Sequence, residues 1–197
     1  MRNEPPQVPV LERMEAAVEK VRQRLVRATA ALERAGVPYA VIGGNAVAAW
    51  VATVDEIAVR ATRDVDVLLR RADFDTARRE LGTAGFAFRH VAGVDLFLDE
   101  AEARAADGVH VIFASERVRP EYAAPAPSPD EAVRFPDGMS VLNLEALVRM
   151  KLTSYRRKDQ VHLLDLIGVG LVTEEDVGRF PGPLADRLRE LLADRDG

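Results

Sequence analysis

Two aspartates at the start of an apolar run constrain the fold of this chain more than any other feature of its sequence. Asp64 and Asp66 flank the first residue of a predicted strand, Val65–Leu69, so both side chains project from one face. Their Cα atoms would lie roughly 6–7 Å apart, which lets both carboxylates reach one divalent ion or a closely spaced pair. Two bare carboxylates at this spacing repel, and Mg²⁺ or Mn²⁺ would relieve that repulsion. The alternative is a strand whose aspartates simply face water.

A glycine pair upstream adds a second element to this region. The run Tyr39–Ile42 predicts a short buried strand, Gly43 and Gly44 predict a turn, and the residues from Asn45 to about Val51 predict a helix. Glycines let a phosphate approach the backbone, and the free amides at a helix N-terminus favour an anion. The pattern indicates half of a phosphate-binding site, although a tight turn that needs positive φ would also explain it.

A long amphipathic helix is predicted before the glycine pair. Apolar residues recur at alternating steps of three and four from Leu11 to Ala35, and Gly36 and Pro38 end the pattern. The same spacing fits a coiled-coil seam, but the flanking positions offer little opposite-charge pairing, so docking of this stripe on the core is favoured. The proline-containing residues 1–10 are predicted to be an irregular lead-in.

Short strands and helices follow the aspartate run without regular βαβ spacing. A helix is predicted from Asp73, as its cap, to Leu81, and strands are predicted at residues 86–88, 94–98 and 109–113. Prolines exclude helix or central strand between residues 119 and 136. Four helices are then predicted, at residues 143–155, 159–167, 173–179 and 183–193.

These elements predict an α+β fold with a mixed β-sheet flanked by helices and a C-terminal helical bundle. The predicted division of the chain is a lead-in at 1–10, an α/β core at 11–118, a Pro-rich loop at 119–138 and the bundle at 139–197.

A basic block opens the predicted bundle. Lys151 shares a helix face with apolar residues, so its amine should emerge at the edge of the buried stripe, where it could bind a phosphate. Arg156, Lys158 and Asp159 follow at the junction with the next helix. The alternatives are a solvated basic junction and, for Asp159, a simple helix cap.

Taken together, these motifs resemble the nucleotidyltransferase superfamily, which includes DNA polymerase beta, and most nearly its AbiEii-type and minimal bacterial branches. The resemblance is strong over residues 36–70, where a strand, Gly-Gly and a helix precede Arg-x-Thr-x-Asp-x-Asp. It implies the nucleotidyltransferase fold and metal binding by Asp64 and Asp66. It also implies a nucleotide-binding set made of Gly43, Gly44, Asn45, Thr62, Arg63, Arg156, Lys158 and Asp159. The catalytic set would be Asp64, Asp66, Lys151 and the residue that matches the family's third carboxylate.

That third position departs from the family. Active members carry a carboxylate on a later strand, and the matching run, Val109–Phe113, places His110 there. Histidine is a poor Mg²⁺ ligand, but it can act as a general base or bind softer metals. Neither Asp95 nor Asp107 occupies the matching position. A structural histidine beside a carboxylate is the alternative interpretation.

The resemblance implies an enzyme that moves a nucleotidyl group from a nucleoside triphosphate to an acceptor hydroxyl of an RNA, a protein or a small molecule. His110 supports a second hypothesis, a catalytically weakened module that binds a nucleotide or another protein. The AbiEii-type branch also suggests a toxin–antitoxin pair with a partner protein.

Composition narrows the chemistry further. The chain has no cysteine and only three histidines, so thiolate sites are excluded and any metal must be held mainly by oxygen. The net charge of −5 argues against a broad basic face for nucleic acid. No apolar run is long enough to span a membrane and no signal peptide is evident, so we expect a cytoplasmic protein. His162 and Asp165, three apart on one helix, are predicted to form a surface pair.

Overall fold

The computed structural model describes residues 9–99 and 108–194. The predicted lead-in lies almost wholly outside these ranges, as does Asp107. The helices are α1 Val10–Arg34, α2 Gly43–Ala52, α3 Phe74–Thr83, α4 Leu144–Ser154, α5 Arg157–Gly168 and α6 Gly182–Ala193. The strands are β1 Tyr39–Ile42, β2 Val65–Leu69, β3 Phe86–Val91, β4 Val94–Asp99, β5 Val109–Phe113, β6 Ala132–Arg134 and β7 Ser140–Leu142.

The strands form one mixed sheet in the order β3-β4-β5-β2-β1-β7-β6. Strand β2 pairs parallel with β5 and antiparallel with β1, and β1 pairs parallel with β7. All four residues of β1 are buried, because this strand lies inside the sheet and is covered by packed helices. The predicted α+β class with a mixed, helix-flanked sheet is confirmed.

The helices pack on the sheet in two groups. Helices α1 and α3 contact each other, and α1 also contacts β2 and β5. Helix α2 packs on β1 and β2 and meets α5, while α6 packs against both α4 and α5. Three of the four predicted C-terminal helices are α-helices in the structure, and α2 joins them to the sheet. None of the helices in the described ranges combines the length and apolar character that crossing a membrane requires.

Helix α1 docks on the core through its second half only. Leu25, Ala28 and Leu32 are buried, whereas Leu11 is 71% exposed and Met14 is also exposed. The prediction that the whole apolar stripe docks is wrong for the first half, which extends past the edge of the packed core. Sequence periodicity could not show this, because the apolar spacing does not change along the helix.

Several predicted local elements need correction. Gly43 and Gly44 are the first residues of α2 rather than a separate turn. Asp73 ends a 3₁₀ turn, Arg71–Asp73, and does not cap α3, because its backbone is already helical and its side chain makes no capping bond. Residues Glu174–Arg179 form a 3₁₀ helix instead of an α-helix.

Two strands, β6 and β7, were not predicted. Each is three residues long, which is too short for a period-two pattern to stand out. Strand β6 is the edge strand of the sheet, beside β7. Its outer side pairs with no described strand, so the prolines around it remove no hydrogen bonds between strands on that side. The exclusion of a central strand from this segment therefore agrees with the structure.

Because only the second half of α1 packs on the core, two leucine truncations on this helix should lower the free energy of unfolding by very different amounts. We expect Leu32→Ala, at a fully buried site, to lower the free energy of unfolding by about 2–5 kcal/mol through lost burial and a residual cavity. Leu11→Ala, at an exposed site, should change it by less than about 0.5 kcal/mol. Urea unfolding followed by circular dichroism measures both. Equal costs would mean that the first half of α1 also packs on the core.

Candidate functional site

The pairing of β1 with β2 places the start of α2 directly against the aspartate strand. The antiparallel register sets Ile42 opposite Asp66, so the next residue, Gly43, lies beside the Asp66 side chain. A Cβ at Gly43 would be 2.0 Å from Asp66 Oδ2, and Gly43 has φ +70°. Both observations require glycine here. The free amides of a helix N-terminus and a carboxylate pair are thus brought together by strand register.

Asp64 is fixed at the entry to β2 by two contacts. The side-chain amide of Asn45 donates a hydrogen bond of 2.7 Å to the Asp64 backbone carbonyl. The Lys158 amine, at the start of α5, lies 3.0 Å from Asp64 Oδ2. Asn45, predicted to bind nucleotide, therefore positions the aspartate strand, and Lys158 brings positive charge from the C-terminal helices.

His110 faces the aspartate strand, as its position predicts. The parallel pairing of β2 with β5 sets His110 opposite Asp66, and His110 Nδ1 lies 3.4 Å from Asp66 Oδ1. The neighbouring residues Val109 and Val111 are buried on the opposite face of β5. An imidazole next to a carboxylate fits either a general base or a structural histidine.

The prediction that the Lys151 amine emerges at the edge of the buried stripe is wrong, because the residue lies inside the protein. It is 5% exposed, and its amine lies 3.1 Å from Asp159 Oδ1. Tyr155, in a left-handed conformation, ends α4 and lets α5 fold back, which carries Asp159 onto the lysine. Burial lowers the pKa of Lys151, and the charge of Asp159 opposes that shift.

Asp159 connects several groups of the α4–α5 junction. Its carboxylate accepts hydrogen bonds from Ser154 Oγ at 2.7 Å and from Arg156 Nε at 2.8 Å. It also accepts one from the Arg156 backbone amide at 3.3 Å, a capping contact that Asp159 makes as the third residue of α5. Burial alone would raise the pKa of Asp159, but the bonds from Arg156 and Ser154 and the charge of Lys151 lower it to about 2.

A cleft of about 610 Å³, here called the aspartate cleft, gathers most of the predicted residues. Its lining includes Gly43, Asp64, Asp66, His110, Lys151, Arg156, Lys158 and Asp159. The Pro-rich segment adds Arg119 and Tyr122, which sequence reasoning missed, since only its prolines gave a signal. The cleft therefore combines the carboxylates of Asp64 and Asp66, which lie next to Lys158 and His110, with basic residues from α4, α5 and the Pro-rich segment.

Three predicted residues face a second cavity instead. Gly44, Thr62 and Arg63 line a pocket of about 390 Å³, here called the histidine pocket after His162. The two cavities have Asp64 and Lys158 in common. A Cβ at Gly44 would lie 2.7 Å from Thr62 Oγ1, so this glycine allows the loop before β2 to pack on α2.

His162 is buried in the wall of this pocket, so the predicted surface pair with Asp165 is wrong. It is 9% exposed, and its Nδ1 has no hydrogen-bond partner among the described residues. Asp165 instead binds Arg60 at 2.7 Å. Burial, with the charges of Lys151 and Lys158, lowers the His162 pKa to about 4. The periodicity of α5 carried the signal, because His162 lies in the stripe formed by Asp159, Leu163 and Leu166.

The carboxylates of Asp64 and Asp66 suit a metal ion that takes its other ligands from a bound phosphate better than an ion held by protein side chains alone. Asp64 and Asp66 line the same cleft, but the described residues contain no group of three acidic, histidine or cysteine side chains arranged around a common point. Mg²⁺ in phosphate-binding sites commonly uses one or two carboxylates and takes its other ligands from phosphates and water. The aspartate pair meets that requirement.

The contact between Gly43 and Asp66 predicts a large cost for a single methyl group. Gly43→Ala should lower the free energy of unfolding by at least about 2 kcal/mol, because it combines positive φ with a clash against a carboxylate. Gly82→Ala, inside α3 with nothing within 4 Å of the new Cβ, is the control and should be neutral or stabilising by up to about 1 kcal/mol. Chemical denaturation compares them. A neutral Gly43→Ala would show that the two groups do not touch.

The lowered pKa of His162 predicts a pH dependence of stability. The unfolded chain takes up a proton near pH 6.5 and the folded chain only near pH 4, so this residue's contribution is complete above pH 6.5 and is lost as the pH falls through 4. The loss is on the order of 2–4 kcal/mol. Unfolding of the wild type and of His162→Gln should differ in slope between these pH values. Parallel pH profiles would contradict the buried neutral imidazole.

Comparison with solved structures identifies the fold of this chain, whereas comparison of sequences finds no relative. No protein-family model matches the chain, and no curated protein matches its sequence. The solution structure of the antibiotic-resistance factor ANT(2'')-Ia aligns with a TM-score of 0.54 and 13% identity, over 91% of this chain and 94% of that one. An antigenic nucleotidyltransferase-like protein from Paracoccidioides brasiliensis aligns with a TM-score of 0.48 and 17% identity, over 89% and 86% of the chains. The likeness to ANT(2'')-Ia shows that this chain has the nucleotidyltransferase fold.

Proposed function

We propose that this protein binds a nucleoside triphosphate in the aspartate cleft and transfers its nucleotidyl group to an acceptor hydroxyl. The observation that carries the proposal is the contact of Gly43 with Asp66, which brings a helix N-terminus and two carboxylates to one place. A helix N-terminus favours phosphate, and the carboxylates suit Mg²⁺ or Mn²⁺. The shared fold with a nucleotidyltransferase supports the same class of reaction.

The three basic residues that α4 and α5 bring to the cleft divide into two roles in this proposal. Lys158 is half exposed and Arg156 is mostly exposed, so their charged groups can reach phosphate oxygens. Lys151 is committed to a buried ion pair with Asp159. We therefore assign Lys151 to holding the α4–α5 junction, and Lys158 and Arg156 to neutralising the triphosphate.

The transfer itself requires positioning more than covalent help from the protein. The acceptor oxygen forms a bond to the α-phosphorus, the bond from that phosphorus to the bridging oxygen of the β-phosphate breaks, and pyrophosphate leaves. The acceptor proton passes to a base, for which His110 beside Asp66 is the candidate. A divalent ion at Asp64 and Asp66 would neutralise phosphate charge and hold the phosphates in place.

A weakened binding module is the second candidate function, and two observations favour it. His110 lies beside Asp66 at the position where the resemblance implies a third carboxylate, and Lys158 already neutralises Asp64. Such a module would hold a nucleotide or a protein without efficient transfer. The toxin–antitoxin role and its partner protein rest on the resemblance to the AbiEii-type branch and are proposals at the same level.

The proposed function predicts that metal-dependent nucleotide binding needs the aspartate pair. Asp64→Asn with Asp66→Asn should weaken binding of a nucleoside triphosphate with Mg²⁺ or Mn²⁺ at least tenfold, about 1.4 kcal/mol, because both ionic ligands are lost. Asp186→Asn, at a side chain 74% exposed on α6, is the matched control and should bind as the wild type does. Titration calorimetry measures all three. Undiminished affinity in the double variant would remove the aspartates from the site.

Label transfer from the same triphosphates separates the two candidate functions. An enzyme should transfer label to at least one acceptor class among RNA, proteins and small hydroxylated molecules, and the aspartate variant should not. Tight binding with no transfer, across both metals and all three classes, would establish the module and exclude the enzyme.

A further inference from the structure

The histidine pocket opens beside the aspartate cleft, and one ion pair belongs to the walls of both. Asp64 and Lys158, 3.0 Å apart, line the two cavities. Gly43, at the start of α2, lines the cleft, and Gly44 lines the pocket. A ligand whose charged part lies at this helix start can therefore extend from one cavity into the other.

The walls of the histidine pocket suit a flat ring with polar edges. The apolar part of the lining includes Val47, Ala48 and Val51 of α2 and Val161 of α5. Besides Asp64, Lys158 and His162, the polar part of the lining includes Arg60, Thr62, Arg63 and Asp165. Guanidinium groups and apolar side chains stack on aromatic bases. A volume of about 390 Å³ admits a small molecule or part of one, and no larger partner.

His162 supplies hydrogen-bonding capacity that the protein leaves unused. The residue is nine-tenths buried, its Nδ1 has no partner within the described ranges, and it lines the pocket. A neutral imidazole offers one donor and one acceptor. An unpaired buried polar group is costly, so a ligand that hydrogen-bonds this ring gains affinity that an apolar ligand cannot.

We propose that the histidine pocket binds the base of the nucleoside triphosphate whose phosphates lie at the start of α2, and that His162 reads the edge of that base. This inference rests on the proposed function and makes it more specific. It leaves the side of the cleft near His110, Arg119 and Tyr122 for the acceptor. His162 is then the residue that sets base preference.

The test measures binding of ATP, GTP, CTP, UTP and inorganic triphosphate, each with Mg²⁺, by titration calorimetry. His162→Phe keeps a ring but removes both hydrogen-bonding nitrogens, and Ala48→Leu fills the pocket without removing a polar group. Both variants should bind the preferred nucleotide at least tenfold more weakly, in line with a lost hydrogen bond or a blocked site. The differences in affinity among the four nucleotides should also become smaller. Inorganic triphosphate has no base, so its affinity should stay within about twofold.

Ala52→Leu is the control, because Ala52 is an exposed residue at the end of α2 that lines neither cavity. It should bind every probe as the wild type does. If His162→Phe does not fold, as judged by circular dichroism, Ala48→Leu decides the outcome.

Three results would overturn the assignment, and they differ from one another. Unchanged nucleotide affinity in a folded pocket variant overturns the base site and leaves the proposed function standing. An equal loss for inorganic triphosphate means that the pocket holds phosphate rather than a base. A wild type that binds neither nucleotides nor inorganic triphosphate overturns the proposed function, and the base site with it.

Discussion

The contact between Gly43 and the Asp66 carboxylate is the constraint on which the site depends. It follows from the β1–β2 register and holds only because residue 43 has no side chain and adopts positive φ. The register fixes the first turn of α2 over the aspartate strand. The parallel pairing of β2 with β5 then brings His110 to the same carboxylate. Sheet pairing thus brings a helix N-terminus, two acids and an imidazole together.

The C-terminal helices complete the site through Asp159. This buried carboxylate holds Lys151 of α4 and the first residues of α5, and α5 in turn carries Lys158 to Asp64. Removing one member of such a buried pair leaves an uncompensated charge, which is typically worth several kcal/mol. The buried Lys151–Asp159 pair is therefore costly to break, whereas the Lys158–Asp64 pair is partly exposed and contributes little. Binding of a cation at the aspartates would exchange that second pair for a metal and free Lys158 for phosphate.

The parts of this arrangement that depend on local sequence could be predicted. The aspartate strand, the glycines at a helix start and the orientation of His110 follow from period two and from glycine chemistry, and the structure contains all three. The burial of Lys151 could not be predicted, because it depends on a left-handed turn at Tyr155 that folds α5 back. The separation of Gly44, Thr62 and Arg63 from the cleft depends on how a loop packs against two helices. The burial of His162 could have been predicted from the periodicity of α5, but a histidine three residues before an aspartate also resembles a surface pair.

Diffraction from crystals grown with Mn²⁺ and a non-hydrolysable nucleoside triphosphate analogue tests the central claim most directly, since anomalous scattering locates the metal without reference to the fold. The proposed function predicts a manganese peak bound by Asp64 and Asp66, triphosphate over the start of α2, and the Lys158 amine moved from Asp64 to a phosphate oxygen. An analogue bound at another surface, with Lys158 still paired to Asp64 and no manganese at the aspartates, would contradict it.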